Sequence, residues 1–174
     1  TPLVVDGIMY LTQRPNEVVA LDAATGRAFW VYRYANAPDL VVCCGSNNRG
    51  VAILGETLFM GTLDAHLIAL DAKNGSVMWE AVTVDQSQPY TITGAPRTAN
   101  GLVYIGNGGA EFGVRGYVTA YDAASGVEAW RFYIVPGNPA EGFESPVMEM
   151  AAKTWNGEWW IAGGGGTAWD SFSF

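Results

Sequence analysis

An eleven-residue motif decides the fold, and it first occurs as Ala20-Leu-Asp-Ala-Ala-Thr-Gly-Arg-Ala-Phe-Trp30. It returns as Ala69-Leu-Asp-Ala-Lys-Asn-Gly-Ser-Val-Met-Trp79 and as Ala120-Tyr-Asp-Ala-Ala-Ser-Gly-Val-Glu-Ala-Trp130. The shared pattern is Ala-x-Asp-x-x-x-Gly-x-x-x-Trp, and its tryptophans are 49 and 51 residues apart. A period of about 50 residues is typical of repeat proteins, in which each unit buries its apolar face against a neighbour. The chain therefore consists of copies of one unit.

Each repeat also carries the signals of four short strands. Two apolar runs meet at a hairpin turn, which is Asp6-Gly7 in the first repeat, Gly55-Glu56 in the second and Asn100-Gly101 in the third. A third strand is predicted to lead into the motif, over Glu17–Leu21, His66–Leu70 and Tyr117–Tyr121. A fourth strand is predicted near the motif tryptophan, over Phe29–Tyr34, Val77–Val84 and Ala129–Val135.

Four antiparallel strands in about 50 residues predict the blade of a β-propeller. The alternative, a helical solenoid, is excluded because no apolar stripe at 3.6-residue spacing appears. We therefore predict an all-β chain whose residues 1–174 form one partial propeller domain. Its repeats are expected at about 1–35, 36–84 and 85–135, with the start of another at 136–174.

The motif has a mechanical interpretation. Its Asp can hydrogen-bond the backbone of a turn, and its Gly can take a positive φ there. Its Ala leaves a flat space that an indole ring can cover, and the ring N–H needs an acceptor when the ring is buried. A tryptophan docked between successive blades would tie them together. Trp30, Trp79 and Trp130 are therefore predicted to be structural.

Composition limits the classes of partner. The chain is 49% hydrophobic and 15% charged, with a net charge of −8, so disorder is not expected. No cluster of Lys and Arg is present, which argues against nucleic acid. No apolar run reaches the length of a membrane-spanning helix. Because the chain begins in a strand-like run and ends after a glycine-rich loop, we expect it to be an internal piece of a longer protein.

The only two cysteines, Cys43 and Cys44, are adjacent. Neighbouring Cα atoms lie about 3.8 Å apart, below the usual disulfide window of about 4.4–6.8 Å, so a bond between them requires local distortion. Such a bond would close almost no loop and could hardly stabilise the fold through chain entropy. From the sequence, a disulfide kept for its shape or chemistry and a pair of buried thiols both remain open. Two cysteines alone cannot make a four-ligand zinc site.

Several further motifs, in this order, resemble those of the quinoprotein alcohol dehydrogenases, enzymes that use pyrroloquinoline quinone (PQQ). They are Cys43-Cys44-Gly45, Asn48-Arg49-Gly50, Thr91-Ile-Thr-Gly-Ala-Pro-Arg97, Gly106-Asn-Gly-Gly-Ala-Glu-Phe-Gly-Val-Arg-Gly-Tyr117, Lys153-Thr-Trp-Asn-Gly-Glu-Trp-Trp160 and Gly163-Gly-Gly-Gly-Thr-Ala-Trp-Asp-Ser171. The likeness covers essentially the whole chain. It implies an eight-bladed propeller, of which this chain holds three blades and part of a fourth.

The resemblance also implies roles for individual residues. A disulfide between Cys43 and Cys44 would form one wall over the flat cofactor, and Trp169 would form the opposite wall. The arginine that meets the quinone oxygens corresponds to Arg49, and the threonine that binds a cofactor carboxylate corresponds to Thr93. The loop beside the cofactor and the glutamate that binds the metal correspond to Gly108, Gly109, Ala110 and Glu111.

Elementary chemistry agrees with these expectations. A planar ring needs two flat and rigid faces, which an indole and a small disulfide ring supply. PQQ is a tricarboxylate, so an acidic protein needs local positive charge, for which Arg49, Arg97, Arg115 and a bound cation are available. Without the resemblance, Glu111 would be interpreted as a solvated turn residue. His66 is expected at a surface or interface rather than in catalysis.

The implied reaction is the oxidation of a primary or secondary alcohol to an aldehyde or ketone with PQQ and a metal ion, calcium or a lanthanide. We expect no catalytic residue within this fragment, because the catalytic aspartate should lie beyond Phe174. The piece alone is therefore expected to be inactive. A periplasmic cytochrome or another electron acceptor is the implied partner, and a haem c domain is an implied C-terminal addition. Adjacent cysteines fit an oxidising compartment, here the bacterial periplasm.

Two alternatives remain at this stage. A non-catalytic β-propeller scaffold of the bacterial envelope would share the tryptophan repeat but has no need of Cys43, Cys44 or Arg49. A quinoprotein that acts on sugars would be expected to lack the cysteine pair. Neither alternative explains the cysteines together with the Gly-Ala-Glu loop.

Overall fold

The computed structural model describes residues 1–170, 172 and 173. Ser171, the last residue of one quoted motif, and Phe174 lie outside the described residues. Three four-stranded antiparallel sheets follow one another along the chain, each in simple up-and-down order. The strands are β1 Leu3–Val5, β2 Ile8–Gln13, β3 Glu17–Asp22 and β4 Ala28–Arg33; β5 Ala52–Leu54, β6 Thr57–Gly61, β7 His66–Asp71 and β8 Val77–Val82; and β9 Arg97–Ala99, β10 Leu102–Gly106, β11 Tyr117–Asp122 and β12 Glu128–Tyr133.

The predicted hairpins are confirmed. Asp6 and Gly7 have φ values of 49° and 78°, and Asn100 and Gly101 have 51° and 77°. Positive φ at both central residues defines the type I′ turn that matches the twist of paired strands. In the second repeat only Gly55, the first central residue, takes a positive φ, of 59°.

The motif residues build the same turn in each sheet. Asp22 Oδ1 accepts hydrogen bonds from the backbone N–H of Ala24 at 2.9 Å and of Thr25 at 3.0 Å. Asp122 Oδ1 likewise accepts from the N–H of Ser125 at 2.8 Å and from its hydroxyl at 2.7 Å. These bonds hold the pKa of both carboxyls below the usual value. A register shift follows the motif Ala in every sheet, so the strand bends where the turn begins.

The first two motif tryptophans each reach the motif of the next repeat. Trp30 Nε1 donates to the carbonyl of Ala72 at 3.1 Å, and Trp79 Nε1 donates to that of Ala123 at 3.0 Å. The indole of Trp79 lies so close to Gly126 that a Cβ added there would be 2.7 Å from Cε3. The expected docking between blades is therefore confirmed, and the ring covers the motif Gly of the following repeat.

The middle sheet is buried on both faces. Successive residues of β6 alternate between two cores: Leu58 and Met60 pack towards the first sheet, and Phe59 packs towards the third. All three are fully buried. The outer strand β8 instead exposes Met78 and Val82, which are 55% and 54% accessible. The hydrophobic cores of this molecule thus lie between blades, as stacking of repeats requires.

Residues 136–170 contain no strand in the described part of the structure. They hold one α-helix, α1 Pro146–Ala152, and the 3-10 helices Pro139–Glu141 and Trp159–Gly165. Ser145 caps α1 by accepting from the N–H of Met148 at 3.3 Å. This short helix was not predicted from the sequence. No described helix is long and apolar enough to cross a membrane.

Candidate functional site

Four separate segments meet around one cavity of about 200 Å³. They are the loop between β4 and β5, the segment between β8 and β9, the loop between β10 and β11, and the glycine-rich segment that follows Trp160. The cavity is lined by Val42, Cys43, Cys44, Gly45, Asn47, Arg49, Thr91, Thr93, Gly108, Gly109, Glu111, Thr167 and Trp169. All but one of the residues that the resemblance assigned to the cofactor and metal are in this set. The exception, Ala110, begins the short 3-10 helix Ala110–Phe112 beside it.

Cys43 and Cys44 form a disulfide with a Cα–Cα distance of 3.8 Å. This settles the choice left open by the sequence, and the interpretation as two buried thiols is wrong. Both residues are exposed at the cavity rather than buried in the core. Asn47 Nδ2 donates to the carbonyl of Cys44 at 2.7 Å, while its Oδ1 accepts from Arg14 at 2.9 Å. The loop that carries the disulfide is therefore tied to the first sheet.

Arg49 supplies positive charge on one side of the cavity, and its position is fixed by two neighbours. Its Nη1 donates to Thr93 Oγ1 at 2.5 Å and to the Thr93 carbonyl at 3.3 Å. The guanidinium carbon lies 4.8 Å from the ring centroid of Trp169, a cation–π distance. Arg49, which the resemblance assigned to the quinone oxygens, is thus in direct contact with Trp169, which it assigned to one wall of the cofactor site.

The loop after β10 approaches the segment of Thr91 closely. Gly108 N–H donates to the Thr91 carbonyl at 2.7 Å, and the two residues form an isolated antiparallel bridge. Gly109 has a φ of 102°, and a Cβ there would meet the carbonyl oxygen of Pro89 at 2.5 Å. Only glycine fits at that position, because the backbone conformation and the close contact both exclude a side chain.

Glu111 projects an exposed carboxylate beside the disulfide. Its oxygen and the sulfur atoms of Cys43 and Cys44 all lie within 4.8 Å of one another. Sulfur atoms in a disulfide are not thiolate ligands, so the carboxylate is the hard-cation ligand of this group. The loop is supported from behind, where Gly163 packs against the backbone of Gly113 and Val114.

The other candidate sources of positive charge lie elsewhere. Arg115 binds Glu144 through two nitrogen–oxygen contacts of 2.5 and 3.1 Å, which lower the pKa of Glu144, and it donates to the Val135 carbonyl at 2.6 Å. Arg97 lines a second cavity, together with Arg49. Among the described residues, Arg49 is therefore the arginine that borders the cavity next to the Cys43–Cys44 disulfide. His66 lies between Glu80 and Gln86 and hydrogen-bonds both.

Five residues that line the cavity were not assigned to the site from the sequence: Val42, Gly45, Asn47, Thr91 and Thr167. For Thr91, the sequence does contain a signal that could have predicted its position. Thr91 precedes Thr93 by two residues, and in an extended chain such residues point to the same side. The other four lie in loops, where no periodicity in the sequence predicts which way a residue faces.

Comparisons with known proteins identify the family of the chain. The family model described as the β-propeller domain of PQQ-containing glucose, ethanol and alcohol dehydrogenases matches residues 1–174. The chain belongs to the PQQ-dependent alcohol dehydrogenase family. Quinohemoprotein alcohol dehydrogenase ADH IIB of Pseudomonas putida is 52% identical over 100% of the chain, which spans 26% of that protein. The chain thus spans about a quarter of the length of the curated relatives it matches.

Solved structures of the PQQ-dependent family share the fold. Quinohemoprotein alcohol dehydrogenase ADHIIG of Pseudomonas putida HK5 matches with a TM-score of 0.92 at 54% identity, covering 100% of this chain and 26% of that one. A europium-containing methanol dehydrogenase matches with a TM-score of 0.80 at 36% identity, covering 93% of this chain and 31% of that one. BamB of Moraxella catarrhalis, at 21% identity and a TM-score of 0.55, is similar in fold alone.

The residues around the cavity fit the cofactor of this family. A flat anionic ring needs apolar faces and donors at its edge. The indole of Trp169 and the Cys43–Cys44 disulfide are exposed to the cavity, and Arg49 and Thr93 provide the donors. Glu111 provides an oxygen ligand for a hard cation.

Proposed function

We propose that this chain is part of a PQQ- and metal-dependent alcohol dehydrogenase that oxidises primary or secondary alcohols to aldehydes or ketones. The observation that supports it best is the convergence of Trp169, the Cys43–Cys44 disulfide, Arg49 and Glu111 on one cavity. These residues come from three segments that are far apart in the sequence. A scaffold propeller needs no such convergence.

Bound PQQ would accept the two electrons released by alcohol oxidation. The protein would orient the cofactor and provide the electrostatic field around it. We propose that Trp169 and the disulfide hold the ring between them by flat contact. Arg49, oriented by Thr93, places positive charge where the ring oxygens gain negative charge during reduction. Glu111 contributes one carboxylate to a metal that acts as a Lewis acid. The group that takes the hydroxyl proton is proposed to lie outside these 174 residues.

The metal is proposed to be calcium or a lanthanide, since both are hard cations that take carboxylate oxygen. A lanthanide is supported by the 36% identity to a europium-containing methanol dehydrogenase. A haem c domain elsewhere in the full-length protein is supported by relatives named quinohemoproteins. A cytochrome or other electron acceptor in the periplasm is the corresponding partner, and a small alcohol is the substrate.

The experiment loads the full-length protein with PQQ and either calcium or a lanthanide, and follows alcohol-dependent reduction of an artificial electron acceptor. We expect turnover that requires both additions, and none from the 174-residue chain alone. Glu111→Gln should reduce turnover and raise the metal concentration needed, because the amide is a weaker ligand than the carboxylate. Full activity without PQQ would refute the proposal, as would full activity of the isolated chain.

A further inference from the structure

The segment Thr91-Ile92-Thr93 alternates between core and cavity. Ile92 is fully buried and packs in the core between the second and third sheets. Thr91 and Thr93 both line the cavity. Because side chains two residues apart in an extended segment share a face, the buried Ile92 fixes the direction of both threonines.

The two hydroxyls have different surroundings. Thr93 Oγ1 accepts the hydrogen bond from Arg49 at 2.5 Å. The backbone carbonyl of Thr91 is bonded to Gly108, but within the described chain its Oγ1 has no hydrogen-bond partner. The whole Thr91 residue is only 4% accessible. The hydroxyl is not among the buried polar atoms that lack a partner, and Thr91 lines the cavity, so the hydroxyl can donate a hydrogen bond to a molecule bound there.

The position of this hydroxyl points to the contents of the cavity. A Cβ added at Gly108 would lie 2.9 Å from Thr91 Oγ1 and 3.9 Å from Trp169 Cβ. The hydroxyl and the Cβ of Trp169, whose indole the proposed function assigns to stacking, therefore both lie next to Gly108. Glycine at 108 leaves the space in front of the hydroxyl open.

We propose that the Thr91 hydroxyl donates a hydrogen bond to a carboxylate oxygen of PQQ, and this inference rests on the proposed function. Side chains two residues apart in an extended segment are separated by about 7 Å. Thr91 therefore binds a different oxygen from the one near Thr93 and Arg49, and so fixes the rotation of the ring in its own plane. A hydrogen bond from hydroxyl to carboxylate is charge-assisted and stronger than one between neutral groups.

The test measures PQQ binding rather than activity. Full-length apoprotein is titrated with PQQ by calorimetry at a fixed calcium concentration, for the wild type, Thr91→Val, Thr91→Ala and Thr91→Ser. We expect Thr91→Val and Thr91→Ala to bind about tenfold more weakly, because a hydrogen bond to a charged group is lost. Thr91→Ser keeps the hydroxyl and should stay within about threefold of the wild type.

The melting temperature of each apoprotein is the control for folding. The apo forms of Thr91→Val and Thr91→Ala should melt no lower than Thr91→Ser, since the hydroxyl lacks a protein partner. If Thr91→Val folds poorly, PQQ binding by Thr91→Ala is compared with that by Thr91→Ser instead. If the wild type binds PQQ and both hydroxyl-free variants bind it equally well, the inference is wrong and the proposed function stands. If the wild type itself fails to bind PQQ, the proposed function fails.

Discussion

Arg49 contacts two other residues that line the cavity, Thr93 and Trp169. The planar guanidinium of Arg49 can stack on the indole while the N–H groups at its edge donate hydrogen bonds, which an ammonium group cannot do. The sequence pointed to Arg49 only through resemblance. Its contact with Trp169, 120 residues further along the chain, is a long-range pair that no local pattern contains.

Arg49→Lys keeps the charge but removes the planar fork. We expect PQQ to bind full-length apoprotein about tenfold more weakly, because stacking and the bond to Thr93 are both lost. The matched control is Arg27→Lys, since Arg27 lies 5.5 Å over the ring of Phe29, away from the cavity. Calorimetric titration gives both dissociation constants. If Arg49→Lys and the wild type bound PQQ equally well, the guanidinium of Arg49 would not contribute to PQQ binding.

Gly126, the motif glycine of the third repeat, lies under the docked indole of Trp79. Gly126→Ala brings a methyl group against the indole of Trp79. Gly101 is the matched control: its φ of 77° is close to the 73° of Gly126, but a methyl group there would have no atom within 4 Å. Both variants suffer the same left-handed strain, so their difference isolates the packing clash. We expect Gly126→Ala to lose about 1–3 kcal/mol more of the unfolding free energy than Gly101→Ala. Denaturant unfolding measures both, and similar losses would contradict the docking geometry.

At the scale of the element, the motif turn couples stability to pH. Hydrogen bonds from the hydroxyl and N–H of Ser125 lower the pKa of Asp122 in the folded state. A carboxyl with a lowered folded pKa stabilises the fold above its unfolded pKa of about 3.8. That contribution is lost as the pH falls from about 5 through the folded pKa.

Asp122→Asn should therefore flatten the dependence of unfolding free energy on pH between about 5 and 2. Ser125→Ala removes one of the donors and should flatten it partly. Urea unfolding at a series of pH values measures both slopes. A slope in Asp122→Asn equal to that of the wild type would show that this turn does not contribute to acid lability.

The elements that the sequence predicted well are those set by local chemistry. Asp6-Gly7 and Asn100-Gly101 place their hairpins because few residue pairs accept two positive φ values. The helix Pro146–Ala152 was missed because seven residues are too few to display a helical period, although Ser145-Pro146 is a capping signal. The pairing of Arg115 with Glu144 was also missed, since ion pairs between distant loops follow from tertiary packing.

At the scale of the whole molecule, the three sheets form an open array of blades. Trp30 and Trp79 each dock on a following repeat, but the third motif tryptophan, Trp130, remains 44% accessible and has no such partner among the described residues. Phe132 on the same strand is 49% accessible. This apolar edge agrees with the finding that the chain spans about a quarter of its relatives.

The proposed function requires a flat redox ring to lie between Trp169 and the Cys43–Cys44 disulfide. The most direct test is a crystal structure of the full-length protein loaded with PQQ and calcium or a lanthanide. We expect the tricyclic ring to be stacked between these two groups, with Arg49 at its edge and Glu111 bound to the metal. Density for PQQ at any other place, or a ring that contacts neither the indole nor the disulfide, would contradict it.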